Sequence, residues 1–242
     1  MNLIIDIGNT RVKLAAFEGK EIQQKWLWPT LEEEKLLRLI KRKKIKQIAL
    51  SSTRGTDKAL LKRLSKVVPV LELSAKTPLP IINSYKTPKT LGKDRLAAVI
   101  AANDLFPNKN CLVIDAGTCI TYDLITKAGE YLGGGISPGV DMRFKAMDTF
   151  TAKLPLVKRT KEIALIGNTT DTALRSGGAL GAVFEVAGFI KAYRKEFSPL
   201  TVILTGGAAD FFEAHLKTKI FVNHNLVLLG LNKILNHNGE SK

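Results

Sequence analysis

The sequence is poor in most of the residues that mark specialised protein classes. Among 242 residues there are two cysteines, three histidines, three methionines and two tryptophans. Two cysteines, Cys111 and Cys119, cannot build a disulfide framework. Neither belongs to a Cys-x-x-Cys pair, so buried thiols are the plain reading of both. The histidines, His215, His224 and His237, come late and in no partnered motif. No apolar run reaches the roughly 18 residues a membrane span needs; the nearest, Ala179–Ile190, is cut by Glu185. The N-terminal stretch carries Asp6 and has no basic leader or small-residue cleavage site, so it does not read as a signal peptide. A soluble, cytoplasmic protein is expected. Acidic residues are also scarce, 22 against 37 lysines and arginines, for a net charge of +15. With 45% hydrophobic and 24% charged residues, disorder, collagen and coiled coil are excluded.

The positive balance favours anionic partners: nucleotides, phosphorylated metabolites or nucleic acid. The basic residues crowd between Lys35 and Lys66. Thr30 and Glu33 have the spacing of a capping box, and acids then bases follow along the amphipathic stretch as a helix dipole prefers. Such a helix is explained by its own solvated face. Without aromatic interleaving or a recognised reader motif, nucleic-acid binding is not expected.

Two segments resemble each other, Asn2–Phe17 and Cys111–Ile125. Each is an apolar strand ending in an aspartate, a turn with glycine and threonine, and a second strand. Asp6 and Asp115 lie 109 residues apart, so the chain reads as two halves of related build. The boundary is expected near Phe106-Pro107-Asn108, giving halves 1–106 and 107–242. Strands are expected at Ile45–Ser51 and Val70–Leu73, in YLGGGI, in TVILTGG and in KIFVN. Helices are expected at Asp57–Val67, from Leu91 to Phe106, from Pro138 onward, over Thr172–Phe197, in ADFFEAHLK and through VLLGLNKIL. Residues 76–91 read as a loop. Strands alternating with helices indicate α/β layers.

The Asp6 turn offers a carboxylate, backbone N–H groups at Gly8, an amide at Asn9 and a hydroxyl at Thr10. That set suits a polyphosphate with Mg²⁺, and Lys13 on the next strand can neutralise phosphate charge. A single copy would read more simply as good hairpin chemistry; the second copy, Asp115-Ala116-Gly117-Thr118, reverses the preference. In Gly92-Lys93-Asp94-Arg95, Asp94 could take a proton from a substrate hydroxyl and Arg95 could hold an anion. An acid stabilising a helix dipole explains Asp94 equally well. Gly135–Gly139 imitates the Gly-x-Ser-x-Gly nucleophile pattern. There the residue after serine must lend an N–H, and here it is Pro138, which has none. Neither a P-loop nor a Gly-x-Gly-x-x-Gly after a strand is present.

Taken together, Asp6–Thr10, Gly92-x-Asp94-Arg95, Asp115–Thr118 and Gly134-Gly135-Ile136-x-Pro138-Gly139 resemble type III pantothenate kinase, in that family's order and over about Met1–Gly230. The resemblance implies an actin-like, sugar-kinase-like ATPase fold, with two ribonuclease-H-like halves and the active site in the cleft between them. It implies ATP-dependent phosphorylation of pantothenate to 4′-phosphopantothenate, the first step of coenzyme A biosynthesis. ATP, Mg²⁺ and a monovalent cation, K⁺ or NH₄⁺, are the implied cofactors. By position, Asp6, Ile7, Gly8, Asn9, Thr10, Arg11, Val12, Lys13 and Thr118 would contact ATP. Asp115 would hold the monovalent cation and Asp94 would be the general base. Tyr85, Gly92, Lys93, Asp94, Arg95 and Thr170 would bind pantothenate, with Thr170 supplied by the second subunit of a homodimer. Gly206-Gly207 resembles the superfamily's nucleotide-side glycine turn. Cys119 stands where a small residue such as alanine is usual, Arg11 and Lys13 make the first loop more basic, and the loop before Tyr85 is short. Two other functions compete: a kinase for another hydroxylated small molecule, and a nucleotide-binding regulator without kinase activity.

Overall fold

A computed structural model describes residues 1–240. The chain divides into two compact units. One comprises Met1–Pro107, Gly129–Tyr131 and the chain from Asn225 onward; the other comprises Asn108–Ala128 and Leu132–His224.

The first unit is built on five strands, β1 (Asn2–Ile7), β2 (Val12–Glu18), β3 (Glu21–Trp28), β4 (Gln47–Ser52) and β5 (Val70–Glu72), in the order β3-β2-β1-β4-β5. β1 runs antiparallel to β2 and parallel to β4. Alternation along β1 sends Leu3 and Ile5 to one face. There they join Leu36, Leu39 and Ile40 of α1 (Glu33–Lys43) and Leu60 and Leu64 of α2 (Lys58–Leu64) in one core. Asn2, Ile4 and Asp6 occupy the other face, beside α3 (Lys93–Leu105) and the C-terminal helix α8 (Leu226–Glu240). α8 is held there by amide bonds: Asn2 Nδ2 donates to Asn232 Oδ1 at 3.0 Å and to Asn236 Oδ1 at 2.8 Å. It also approaches α3 closely, because a Cβ at Gly230 would lie 1.8 Å from the Ala97 carbonyl oxygen.

The second unit repeats the plan. Its strands are β7 (Asn110–Ala116), β8 (Cys119–Ile125), β9 (Glu130–Pro138), β10 (Leu200–Thr205) and β11 (Phe221–Val222), in the order β11-β10-β7-β8-β9. Read from β9, this is the order of the first sheet. β7 is antiparallel to β8 and parallel to β10, as β1 is to β2 and β4. The repeat expected from the two aspartate turns is thus a repeat of whole sheets. A short β6 (Ile82–Asn83) pairs in parallel with Glu130 and Tyr131, the part of β9 that belongs to the first unit. α4 (Val140–Phe150), α5 (Thr170–Arg175), α6 (Gly181–Glu196) and α7 (Ala209–His215) complete the second unit.

Several local expectations are corrected. The Thr30–Glu33 capping box does not form. α1 begins at Glu33 behind an extended Glu32 with no side-chain cap. The Glu33 carboxylate is instead taken by Arg63, whose Nε and Nη2 donate at 2.7 and 2.8 Å. β3 has no counterpart among the expected strands, because its side chains are mostly exposed and polar, as an edge strand allows. Pro138 ends β9 rather than opening α4, whose cap is Gly139. The long helix from Thr172 is two helices joined by a π-helical turn, Ser176–Leu180. A Cβ at Gly178 in that turn would lie 2.6 Å from the Phe144 ring. The helical run Thr170–Glu196 is long and apolar enough to cross a membrane by length and composition. However, Leu174, Ala179, Ala182, Val183, Val186 and Ile190 are spent in the core of the second unit. Finally, the last helix, expected in the second half, belongs to the first unit, because its buried Leu228, Leu231 and Leu235 need the α3 side of that sheet.

Candidate active site

In the first unit the site grows from the end of β1. Asp6 is 6% exposed. The ladder sets Lys13 opposite it on β2 and Ser51 opposite it on β4, so all three side chains share the face that carries α3. The Ser51 hydroxyl donates to Asp6 Oδ1 at 3.3 Å. Burial raises the Asp6 carboxyl to about 6; Lys13 and Ser51 oppose that rise, while the negative charge of Asp94 adds to it. Beyond Asp6 the chain turns tightly, the Gly8 N–H donating to the Arg11 carbonyl at 3.1 Å. Asn9, Thr10 and Arg11 are exposed along this turn, and Val12 is buried beneath it. A second loop braces the turn: Thr53 Oγ1 donates to the Ile7 carbonyl at 3.2 Å and Arg54 Nε to the Gly8 carbonyl at 2.8 Å.

Gly92 caps α3 and puts Asp94 in its first turn. Asp94 Oδ1 accepts the Arg95 N–H at 2.8 Å, which fixes the carboxylate at the positive end of the helix. Lys93 faces Glu72, 3.6 Å away. Arg95 is buried, its guanidinium 5.7 Å from the Tyr85 ring centroid. Tyr85 in turn stacks on buried Tyr131, centroids 6.0 Å apart and planes 14° from parallel. The structure therefore gathers Asp6, Lys13, Asp94, Arg95 and Tyr85 within one unit, as neighbours through the sheet, the α3 N-terminus and the aromatic stack. Ser51, Arg54 and Tyr131 join them without having been singled out by sequence. The polar Ser51-Ser52-Thr53 directly after an apolar run is a usable signal for the first two; Tyr131 offers none, because only tertiary pairing brings it to Tyr85.

In the second unit Asp115 ends β7 as Asp6 ends β1. Its turn is closed by the Gly117 N–H donating to the Cys119 carbonyl at 2.9 Å. Two glycines from elsewhere crowd this turn. A Cβ on Gly139 would lie 2.4 Å from the Thr118 carbonyl oxygen, and one on Gly206, at φ +95°, would lie 2.4 Å from Asp115 Oδ1. Directly across the β7–β8 ladder from Asp115 is Thr121, whose buried Oγ1 has no hydrogen-bond partner. Thr118 is exposed at the turn. Thr170 is also exposed, at the first residue of α5, behind a capping box made by Thr169 and Thr172. The Ser137 hydroxyl of the imitation nucleophile motif is committed to Glu185 at 2.5 Å. Neither cysteine is bridged, and burial raises the Cys111 thiol to about 11.

The family model for type III pantothenate kinase matches residues 2–192. A type III pantothenate kinase of Phocaeicola vulgatus is 46% identical over 241 residues, covering 99% of this chain and 100% of that one. One from Bacteroides fragilis is 44% identical over 239 residues, 98% of each chain. Among solved structures, a Campylobacter jejuni protein assigned to the Baf family of transcriptional activators superposes with a TM-score of 0.65. It is 21% identical and covers 98% of this chain and 99% of its own. A Listeria monocytogenes protein assigned as an N-acetylmannosamine kinase gives 0.60 at 15% identity, with 98% and 99% coverage. At those identities the solved structures show the fold alone, an α/β architecture carried over nearly the whole length of each chain. The sequence relatives carry the family: this chain belongs to the type III pantothenate kinases.

Proposed function

We infer that this protein transfers the γ-phosphoryl group of ATP to the primary hydroxyl of pantothenate, giving 4′-phosphopantothenate for coenzyme A synthesis. The observation that carries the reading is the placement of Asp94. It is a carboxylate at the first turn of α3, beside buried Arg95 and electrostatically coupled to Asp6. As general base, Asp94 orients the hydroxyl and accepts its proton as the new P–O bond forms. Arg95, braced by Tyr85, supplies a fixed positive charge for the pantothenate carboxylate. The turn from Asp6 to Lys13 offers N–H groups and the Lys13 ammonium to the ATP phosphates, and Thr118 offers a hydroxyl from the second turn.

The donor chemistry fits the implied ions. Mg²⁺ prefers a few carboxylate oxygens plus phosphate and water. Asp6 is such a carboxylate, and among the described residues no group of three or more His, Cys, Asp or Glu could form a protein cage. Bound with ATP, Mg²⁺ would neutralise phosphate charge. The orphan Thr121 hydroxyl opposite Asp115 gives an all-oxygen pair suited to a hard monovalent cation. Apolar side chains left in the open on the second unit, among them Phe150, Ile166 and Phe184, support a homodimer in which Thr170 serves the neighbouring subunit's substrate. A cytoplasmic location follows from the substrates.

The test is ADP release from purified protein with Mg·ATP and pantothenate, with and without K⁺. Pantothenate-dependent release that collapses without K⁺ supports both the reaction and the Asp115 assignment. Release indifferent to K⁺ removes the cation site. Release with another hydroxylated acceptor but not pantothenate overturns the substrate.

A further inference from the structure

The second phosphate turn is closed by its own Gly117–Cys119 bond and is also braced from outside. It is propped by the peptide Pro138–Gly139: the Gly139 N–H donates to the Thr118 carbonyl at 3.0 Å, and the missing Cβ lets the two backbones meet. Besides those backbone bonds, one carboxylate on another helix gathers the side chains around that peptide. Glu185 of α6 accepts the Tyr122 hydroxyl at 2.8 Å and the Ser137 hydroxyl at 2.5 Å on Oε1, and Arg143 Nη2 at 2.5 Å on Oε2. Arg143 passes the constraint on, since its Nε donates to the Pro138 carbonyl at 2.9 Å and its N–H to the Gly139 carbonyl at 3.0 Å. Pro138 has no N–H, so its carbonyl is the one polar handle by which it can be held.

We propose that Glu185 is a positioning residue for the nucleotide site: it locks β8, the end of β9 and the first turn of α4 together, so that Gly139 presents Thr118 to ATP. The inference rests on the kinase reading above, but only on its nucleotide half. Four side chains from separate stretches, positions 122, 137, 143 and 185, converge on one half-buried point, 26% exposed at Glu185 and 21% at Arg143. A carboxylate there can accept from three donors at once, which neither an amide nor an apolar residue can do. Burial works to raise Glu185, yet the bonds from Arg143, Ser137 and Tyr122 outweigh it and keep the group low, in its charged, accepting form. Truncating it leaves the Arg143 fork without its anion and frees the Pro138 carbonyl to move.

The experiment compares Mg·ATP binding by calorimetry, and steady-state kinetics, in wild type, Glu185→Gln, Arg143→Met and the double variant. Glu185→Gln keeps the size and the acceptor for Tyr122 and Ser137, so it tests charge pairing in a folded protein. The expected result is about tenfold weaker Mg·ATP binding in each single variant, matched by a raised ATP KM, with pantothenate KM unchanged. The double variant should be no worse than the worse single, because the pair acts as one unit. Restoring the carboxylate in Glu185→Asp should recover part of the affinity. ATP affinity within twofold of wild type in the folded Glu185→Gln protein, or an equal rise in both KM values, overturns the proposal. A wild-type protein that binds Mg·ATP but never turns over would sink the kinase reading alone, and the binding comparison would still decide this one.

Discussion

Asp6 and Lys13 face each other directly across the β1–β2 ladder, yet the buried carboxyl of Asp6 still sits near 6 instead of its ordinary 3.8. Burial and the negative charge of Asp94 together outweigh the lysine. The folded protein therefore holds the Asp6 proton more tightly than the unfolded chain does. Stability from this group is complete below about pH 4 and is lost as pH rises through 6, by about 3 kcal/mol at most. An Asp6→Asn variant removes that loss. Its melting temperature relative to wild type should rise between pH 4.5 and 7.5, while its Mg·ATP affinity falls. A melting difference independent of pH would show that the surroundings do not raise the Asp6 carboxyl above its ordinary range.

Asp94→Asn keeps an acceptor for the Arg95 N–H and removes the carboxylate proposed as the base. It should lower kcat by roughly 10²–10⁴ with little change in either KM. Steady-state ADP release at saturating substrates measures this directly, and a near wild-type kcat would remove Asp94 from the chemistry.

Arg95 is packed against Tyr85, so its planar fork is oriented before substrate arrives. A lysine there keeps the charge but loses both the fork and the stacking. Arg95→Lys should raise the pantothenate KM by about tenfold or more and leave the ATP KM alone. Equal changes in both constants would mean that Arg95 serves the fold and not the substrate.

Gly206 and Gly207 look interchangeable in the sequence, and the structure separates them. Gly206 has φ +95° and no room beside Asp115, whereas a Cβ on Gly207 meets nothing within 4 Å. Gly206→Ala should cost about 1–3 kcal/mol from backbone conformation alone, apart from the contact with Asp115. It should also weaken any dependence on K⁺. Gly207→Ala should stay within about 0.5 kcal/mol of wild type. Urea denaturation of the two variants makes the comparison, and similar losses in both would contradict the assigned geometry.

The two strand–aspartate–turn units are legible along the chain because apolar runs ending in Asp6 and Asp115 are local patterns, and the Gly92–Arg95 motif is four consecutive residues. β3 is hidden, since an edge strand with polar, exposed side chains has no hydrophobic period to read. The capping box is legible but wrong: α1 starts behind an uncapped Glu32, and the Glu33 carboxylate is bound bidentately by Arg63, 30 residues away, a pairing that no local pattern encodes.

Sequence by itself determined the strand–turn chemistry, the duplication and the family, all of which depend on residues near one another in the chain. Tertiary structure decided which residues serve those turns from a distance. It set Ser51 and Arg54 around the first, and Gly139, Gly206 and Glu185 around the second. It also returned α8 to the first sheet. Each depends on close backbone approach or on one buried polar atom finding its partner, and such pairings are fixed by packing in three dimensions, not by spacing along a chain.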